Sequence, residues 1–167
     1  MNLLAWYGKD TMYGIDAELK TIVSIRNGKI EGQIRIKEEV IPVALAFDTE
    51  GAAWMLDKKD QVVKFDATGK ILFRFGNEGS GNGQFKDPTD LVISVSGKIY
   101  VADKGNDSVQ IFNSEGKFLN VIRKLDDPVA MAVDAQENLY VLEKGQKFIS
   151  IYSPLGERVG SMGQEKE

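Results

Sequence analysis

The sequence has no cysteine and no histidine among its 167 residues. Without cysteine, no disulfide, thiolate nucleophile or cysteine-ligated metal can form. Without histidine, the commonest general base and the commonest zinc ligand are missing. A Ser-His-Asp triad therefore cannot be built from its serines. No run approaches the ~20 apolar residues of a membrane helix. The opening MNLLAWYGKD lacks the basic start and apolar stretch of a secretory signal. A net charge of −4 gives no long-range attraction to nucleic acid or anionic lipid. These absences predict a soluble chain with no membrane or nucleic-acid partner. Its compartment is open, and cytoplasmic if the chain is complete.

What is present is repetition. Pro88–Leu119 (PTDLVISVSGKIYVADKGNDSVQIFNSEGKFL) aligns without a gap on Pro128–Val159 (PVAMAVDAQENLYVLEKGQKFISIYSPLGERV). A third copy runs from Pro42 to Leu72, and a worn fourth fills Leu3–Glu31. A period of roughly 40 residues with four short strands per copy predicts an all-β propeller of four-stranded antiparallel blades. The boundaries fall near residues 1–38, 39–84, 85–124 and 125–163 of a single domain. Four blades make a partial or unusually small propeller.

Each copy reads as strands a to d. Strand a (Val43–Phe47, Thr89–Ile93, Val129–Val133) is apolar at nearly every position, as a strand buried on both faces should be. Strand b carries one aromatic column, Tyr13, Trp54, Tyr100 and Tyr140, read as rings that fill the gap between neighbouring blades. Strand c alternates, and strand d carries the most charge, as an outer edge requires. The c–d turns end in Gly69, Gly116 and Gly156, with Asn27-Gly28 in the worn copy. Glycine there suits a left-handed position after a type I turn.

The segment Gly76–Leu119 resembles an NHL repeat. It has the glycine-rich lead-in, Gln84-Phe85 before Pro88, the Tyr-Val-Ala-Asp of strand b and the Phe-Asn-Ser-Glu-Gly-Lys turn. The other copies match with declining quality. The resemblance implies a β-propeller used as a binding platform, often with six blades, which would take about 240 residues at this period. A four-bladed array therefore closes alone, belongs to a larger propeller, or has its end faces covered by copies or partners.

In a meander the b–c loops and the blade-to-blade d–a loops share one rim. That rim is the expected partner surface, carrying Lys58, Lys59, Asp60, Asn77, Glu78, Lys104, Asn106, Asp107, Lys144, Gln146 and Lys147. Its lysines alternate with acids, unlike the positive face of RNA-binding NHL domains. Asp16, Asp57, Asp103 and Glu143 form a column after strand b, read as each capping its own b–c turn. Asp90 is a lone carboxylate near the axial end of strand a, and calcium wants six to eight oxygens. It is a candidate metal ligand and, more simply, an acceptor for neighbouring backbone. Gly76–Gly83 has no Gly-Lys-Ser/Thr ending and no following helix, so it reads as a flexible inter-blade loop rather than a phosphate cradle. The sequence thus predicts no cofactor and a non-catalytic scaffold that binds a protein partner or itself. The alternatives are a calcium-dependent lactonase-type hydrolase and an RNA-binding NHL domain.

Overall fold

Short apolar runs punctuated by turn residues give sixteen strands among the described residues. A computed structural model describes residues 3–7, 11–16, 20–36, 38–146 and 148–163, with the side chains of 3–7 outside that description. The first sheet holds β1 (Leu3–Tyr7), β2 (Thr11–Asp16), β3 (Thr21–Arg26) and β4 (Lys29–Arg35). The second holds β5 (Pro42–Phe47), β6 (Ala53–Asp57), β7 (Gln61–Phe65) and β8 (Ile71–Phe75). The third holds β9 (Pro88–Ile93), β10 (Ile99–Asp103), β11 (Ser108–Phe112) and β12 (Phe118–Arg123). The fourth holds β13 (Pro128–Val133), β14 (Leu139–Glu143), β15 (Phe148–Tyr152) and β16 (Arg158–Gly163). Each is an antiparallel meander whose spatial order follows the sequence. The helical content among the described residues is one 3-10 turn at Lys104–Asn106.

The turns form as their residues dictate. Asp66, Asn113 and Ser153 each accept backbone N–H bonds from residues two and four further on. Gly28, Gly69, Gly116 and Gly156 then take φ of 74°, 79°, 76° and 83°. That left-handed region costs glycine little and a residue with a Cβ more.

The inner strands β1, β5, β9 and β13 pack side by side in that order, so the sheets fan about a common axis. Among the described residues no comparable packing joins β13 back to β1, and the four blades form an arc. The core lies in the three gaps between blades. Ile15, Ile22, Met55 and Phe65 fill the first, Trp54, Leu56, Leu91 and Phe112 the second, and Tyr100, Val109, Leu139 and Val141 the third. Three members of the aromatic column, Tyr13, Trp54 and Tyr100, occupy these gaps, whereas Tyr140, in the fourth blade, lies in none of them. Tyr13 meets Phe47 of the next blade at 4.1 Å between ring centroids. Trp54 and Tyr100 are buried against the third and fourth blades.

The turn glycines also set the stacking. A Cβ on Gly69 would strike Arg35 and Ile34, one on Gly116 would lie 2.6 Å from Phe75, and one on Gly156 would touch Asn120 and Ile122 at ordinary contact distance. These three turns thus lie on the outer strand of the preceding blade, at Gly69 and Gly116 with a closeness that only a missing side chain permits.

Candidate binding rim

Backbone bonds tie each inter-blade segment to the b–c loop of the blade it enters. Lys58 N–H donates to the Ile41 carbonyl, Gly105 N–H to Lys86, and Lys144 N–H to Asp127, at 2.8, 2.8 and 3.0 Å. The carboxylate column completes this seam. Asp57 Oδ1 accepts the Ile41 N–H at 2.9 Å, Asp103 Oδ1 the Lys86 N–H at 2.8 Å, and Glu143 Oε2 the Asp126 N–H at 2.6 Å. These acids therefore do not chiefly cap their own b–c turns. They latch the incoming chain as it enters strand a, because a buried carboxylate at the end of strand b faces the N–H of the segment passing over it. All three are buried. Asp103 also accepts Asn106 Nδ2 at 2.7 Å and Gln110 Nε2 at 3.2 Å. Burial pushes its carboxyl above the usual range, and the Asn106, Lys86 and Gln110 donors pull back against it.

The glycine-rich segment is held by its own bonds, which corrects the expectation of a flexible loop. Gly79 N–H donates to the Phe85 carbonyl, Gly81 N–H to Gln84 Oε1 and Gly83 N–H to Gln110 Oε1. Asn106 Nδ2 donates to the Gly79 carbonyl at 2.9 Å. Phe85 anchors the segment from below, fully buried against Phe75 and Phe112. With these three N–H groups engaged inside the protein, the loop does not offer them as a cradle for an anion.

Where the rim crosses from the second blade to the third, a groove of about 440 Å³ opens. Ile41, Pro42, Val43 and Pro88 form its apolar floor, with Lys58, Asp60 and Asp87 around it. Ile41 is 54% exposed. The Asp60 carboxyl is raised by burial first and then by the charges of Glu78, Asp103, Asp87 and Asp57. Of the expected rim residues, only Lys58 and Asp60 line this groove. Lys59 is exposed beside it. Glu78 bridges to Phe85, and the Asn77 side chain bonds the Glu78 carbonyl. Lys104 pairs with Asp87 at 3.5 Å. Asn106 is an internal pin, Asp107 sits at φ 48° with its carbonyl on Leu125 N–H, and Gln146 bonds Asp126. Lys144 is exposed above the fourth blade, and Lys147 lies outside the described residues. The floor residues escaped sequence reading. Their one signal was an isoleucine just before the proline that opens a repeat.

On the axis, a recess of about 420 Å³ is lined by strand-a residues of three blades, among them Phe47, Asp90 and Met131. Asp90 spends its carboxylate on backbone, accepting the Leu91 N–H at 2.8 Å and the Met131 N–H of the next blade at 2.6 Å. Burial pushes its carboxyl up, against the pull of those two donors. Among the described residues, no three carboxylates come close enough together to hold a metal ion.

The opposite rim carries a second latch. Asp48 accepts Trp54 Nε1 at 2.9 Å, and Asp134 accepts the Tyr140 hydroxyl at 3.0 Å. In the third blade the turn opens with Ser94 instead, and the buried Tyr100 hydroxyl has no partner. Burial first, and then the Glu137 charge, raise the Tyr100 hydroxyl to about 12. Glu137 reaches from the fourth blade to the Ser96 N–H at 2.9 Å and the Lys98 ammonium at 3.2 Å.

Comparison with known proteins fits this architecture. Residues 85–112 match the NHL repeat family. The chain is 43% identical over 54 residues to Protein lin-41 of Caenorhabditis elegans, covering 32% of this chain and 5% of that protein. It is 40% identical over 48 residues to Tripartite motif-containing protein 2 of Homo sapiens, covering 29% and 6% respectively. The chain thus spans a small fraction of these curated relatives. Among solved structures, virginiamycin B lyase from Staphylococcus aureus superposes with a TM-score of 0.72 at 13% identity, over 98% of this chain and 55% of that one. A catalytically inactive histidine-to-alanine form of that lyase, solved with quinupristin, gives 0.73 at 14%, again over 98% and 55%. At such identities the likeness is one of fold. Repeat, blades and fold agree: the third blade matches the NHL repeat, and the chain as a whole has the fold of a β-propeller.

Proposed function

We propose that the chain is a non-catalytic, protein-binding propeller module that engages its partner through the b–c rim and presents its end blades for assembly. The observation that carries the reading is the groove between the second and third blades. It sets an exposed isoleucine and two prolines among Lys58, Asp60 and Asp87. An apolar centre with a charged surround is the usual build of a protein contact. The carboxylates that could suggest chemistry at Asp57, Asp103, Glu143 and Asp90 are already committed to backbone N–H groups. The histidine whose loss inactivates the structurally similar lyase has no counterpart in a sequence without histidine.

A random peptide library displayed on phage, selected on the purified chain, tests this reading. Selected peptides should lose about tenfold or more in affinity for Ile41→Arg, as truncation of a central contact does. Binders indifferent to Ile41→Arg and to Asp60→Lys would refute it. Addition of ~1 mM calcium should leave the unfolding temperature unchanged, whereas a clear rise would move the reading to the hydrolase class.

A further inference from the structure

The two ends of the arc are the unfilled halves of the contact that joins its blades. In the third blade, Ala102, Val109 and Ile122 lie opposite one another on adjacent strands and are buried against the fourth. The same row in the fourth blade is Leu142, Ile149 and Met162. Among the described residues it is left open: Leu142 is 41% exposed and Met162 54%. The other end mirrors this. Ile99 and Phe112, opposite one another on the receiving face of the third blade, are buried. Their counterparts Met12 and Ile25 in the first blade are only half-buried, and Ile30, paired with Ile25, is 61% exposed.

The turn glycines give an independent sign. Gly69, Gly116 and Gly156 each press on the outer strand of the preceding blade, whereas Gly28 has the same left-handed backbone and nothing within 4 Å. Gly160 on β16 is equally open. It holds the position where, one blade earlier, Asn120 meets the turn of Gly156.

We propose that a second copy of this chain fills both ends, the fourth blade of each copy taking the first blade of the other. This rests on the assembly half of the function proposed above and names its partner. The leading face of the fourth blade repeats the row that takes a following blade in the third, and the first blade displays the matching receiving row. The two end surfaces differ, so the contact is heterologous, and a heterologous contact closes into a ring when its rotation allows. The chain superposes on 55% of the virginiamycin B lyase chain at a TM-score of 0.72, so its four blades match about half the length of that propeller chain. Two arcs complete a ring of eight blades, within the usual four to eight. Closure puts the Gly28 turn of one copy on Met162 of the other and removes both apolar faces from water.

Sedimentation of the purified chain should give twice the mass of one chain. Leu142→Arg, which blocks the leading face, and Ile25→Arg, which blocks the receiving face, should each sediment as monomers. Mixed in equal amounts, they retain one intact pair of faces and should recover a one-to-one dimer. Met162→Arg and Ile30→Arg repeat the pair at more exposed positions, with circular dichroism confirming the fold. A monomeric parent chain, a dimer untouched by either variant, or blocked variants that fail to recombine would overturn the proposal. Peptide binding that depends on Ile41 is read separately, so loss of the ring leaves the rim reading standing.

Discussion

At the scale of single residues, polar side chains decide where this protein is tight and where it is frustrated. The hydroxyls of Tyr140 and Tyr100 share one column, yet Asp134 satisfies the first and nothing satisfies the second. Tyr140→Phe should therefore lower the unfolding midpoint. Tyr100→Phe should leave it unchanged or raise it, by up to about 1 kcal/mol, because an unpaired buried hydroxyl is the costlier state. Equal losses in chemical denaturation would contradict the assignment. Glu137 adds a pH dependence. Hydrogen bonds led by the Ser96 side chain, with Ser94 and Lys98, hold its carboxyl at about 2, well below its usual 4.5, despite opposing burial. A carboxyl lowered on folding stabilises the fold above its unfolded value, and that stability fades as pH falls towards the folded one. Between pH 4.5 and 2 the parent chain should lose more stability than Glu137→Gln, measured by thermal melts at each pH.

At the scale of elements, turns and latches matter more than strand propensity. Gly116 combines a left-handed φ of 76° with Phe75 at 2.6 Å from any added Cβ. Gly116→Val should cost about 1–2 kcal/mol from the backbone alone, with the clash adding to it. An unchanged denaturation midpoint would count against the turn. Asp103→Ala leaves the Lys86 N–H without its acceptor and removes one of two acceptors from each of the Asn106 and Gln110 amides, and should cost about 1–3 kcal/mol. The four-strand copies, their turn glycines and the aromatic column were legible in the sequence, because they rest on local periodicity and local turn chemistry. The latches were not. Asp103 meets Lys86, seventeen residues earlier in sequence, and nothing in the column Asp16, Asp57, Asp103 and Glu143 distinguishes a cap on the next turn from a clasp on the incoming chain. The Asp134–Tyr140 bond was half visible, since both columns could be seen but not the contact between them.

At the scale of the whole molecule, equivalence between blades explains both what is sealed and what is open. The row that is buried at Ala102, Val109 and Ile122 in the third blade is exposed at Leu142 and Met162 in the fourth, where no described blade packs over it. The rim groove was illegible for a related reason. Its floor joins Ile41–Val43 to Pro88, residues far apart in sequence that meet only once two blades are stacked. Central to all of this is the stacking of each c–d turn on the outer strand of the blade before it. Proton–proton Overhauser contacts in solution test it most directly. The Gly69, Gly116 and Gly156 α-protons should show contacts to Ile34, the Phe75 ring and Ile122 respectively. Their absence in a folded sample would contradict the blade-on-blade arrangement.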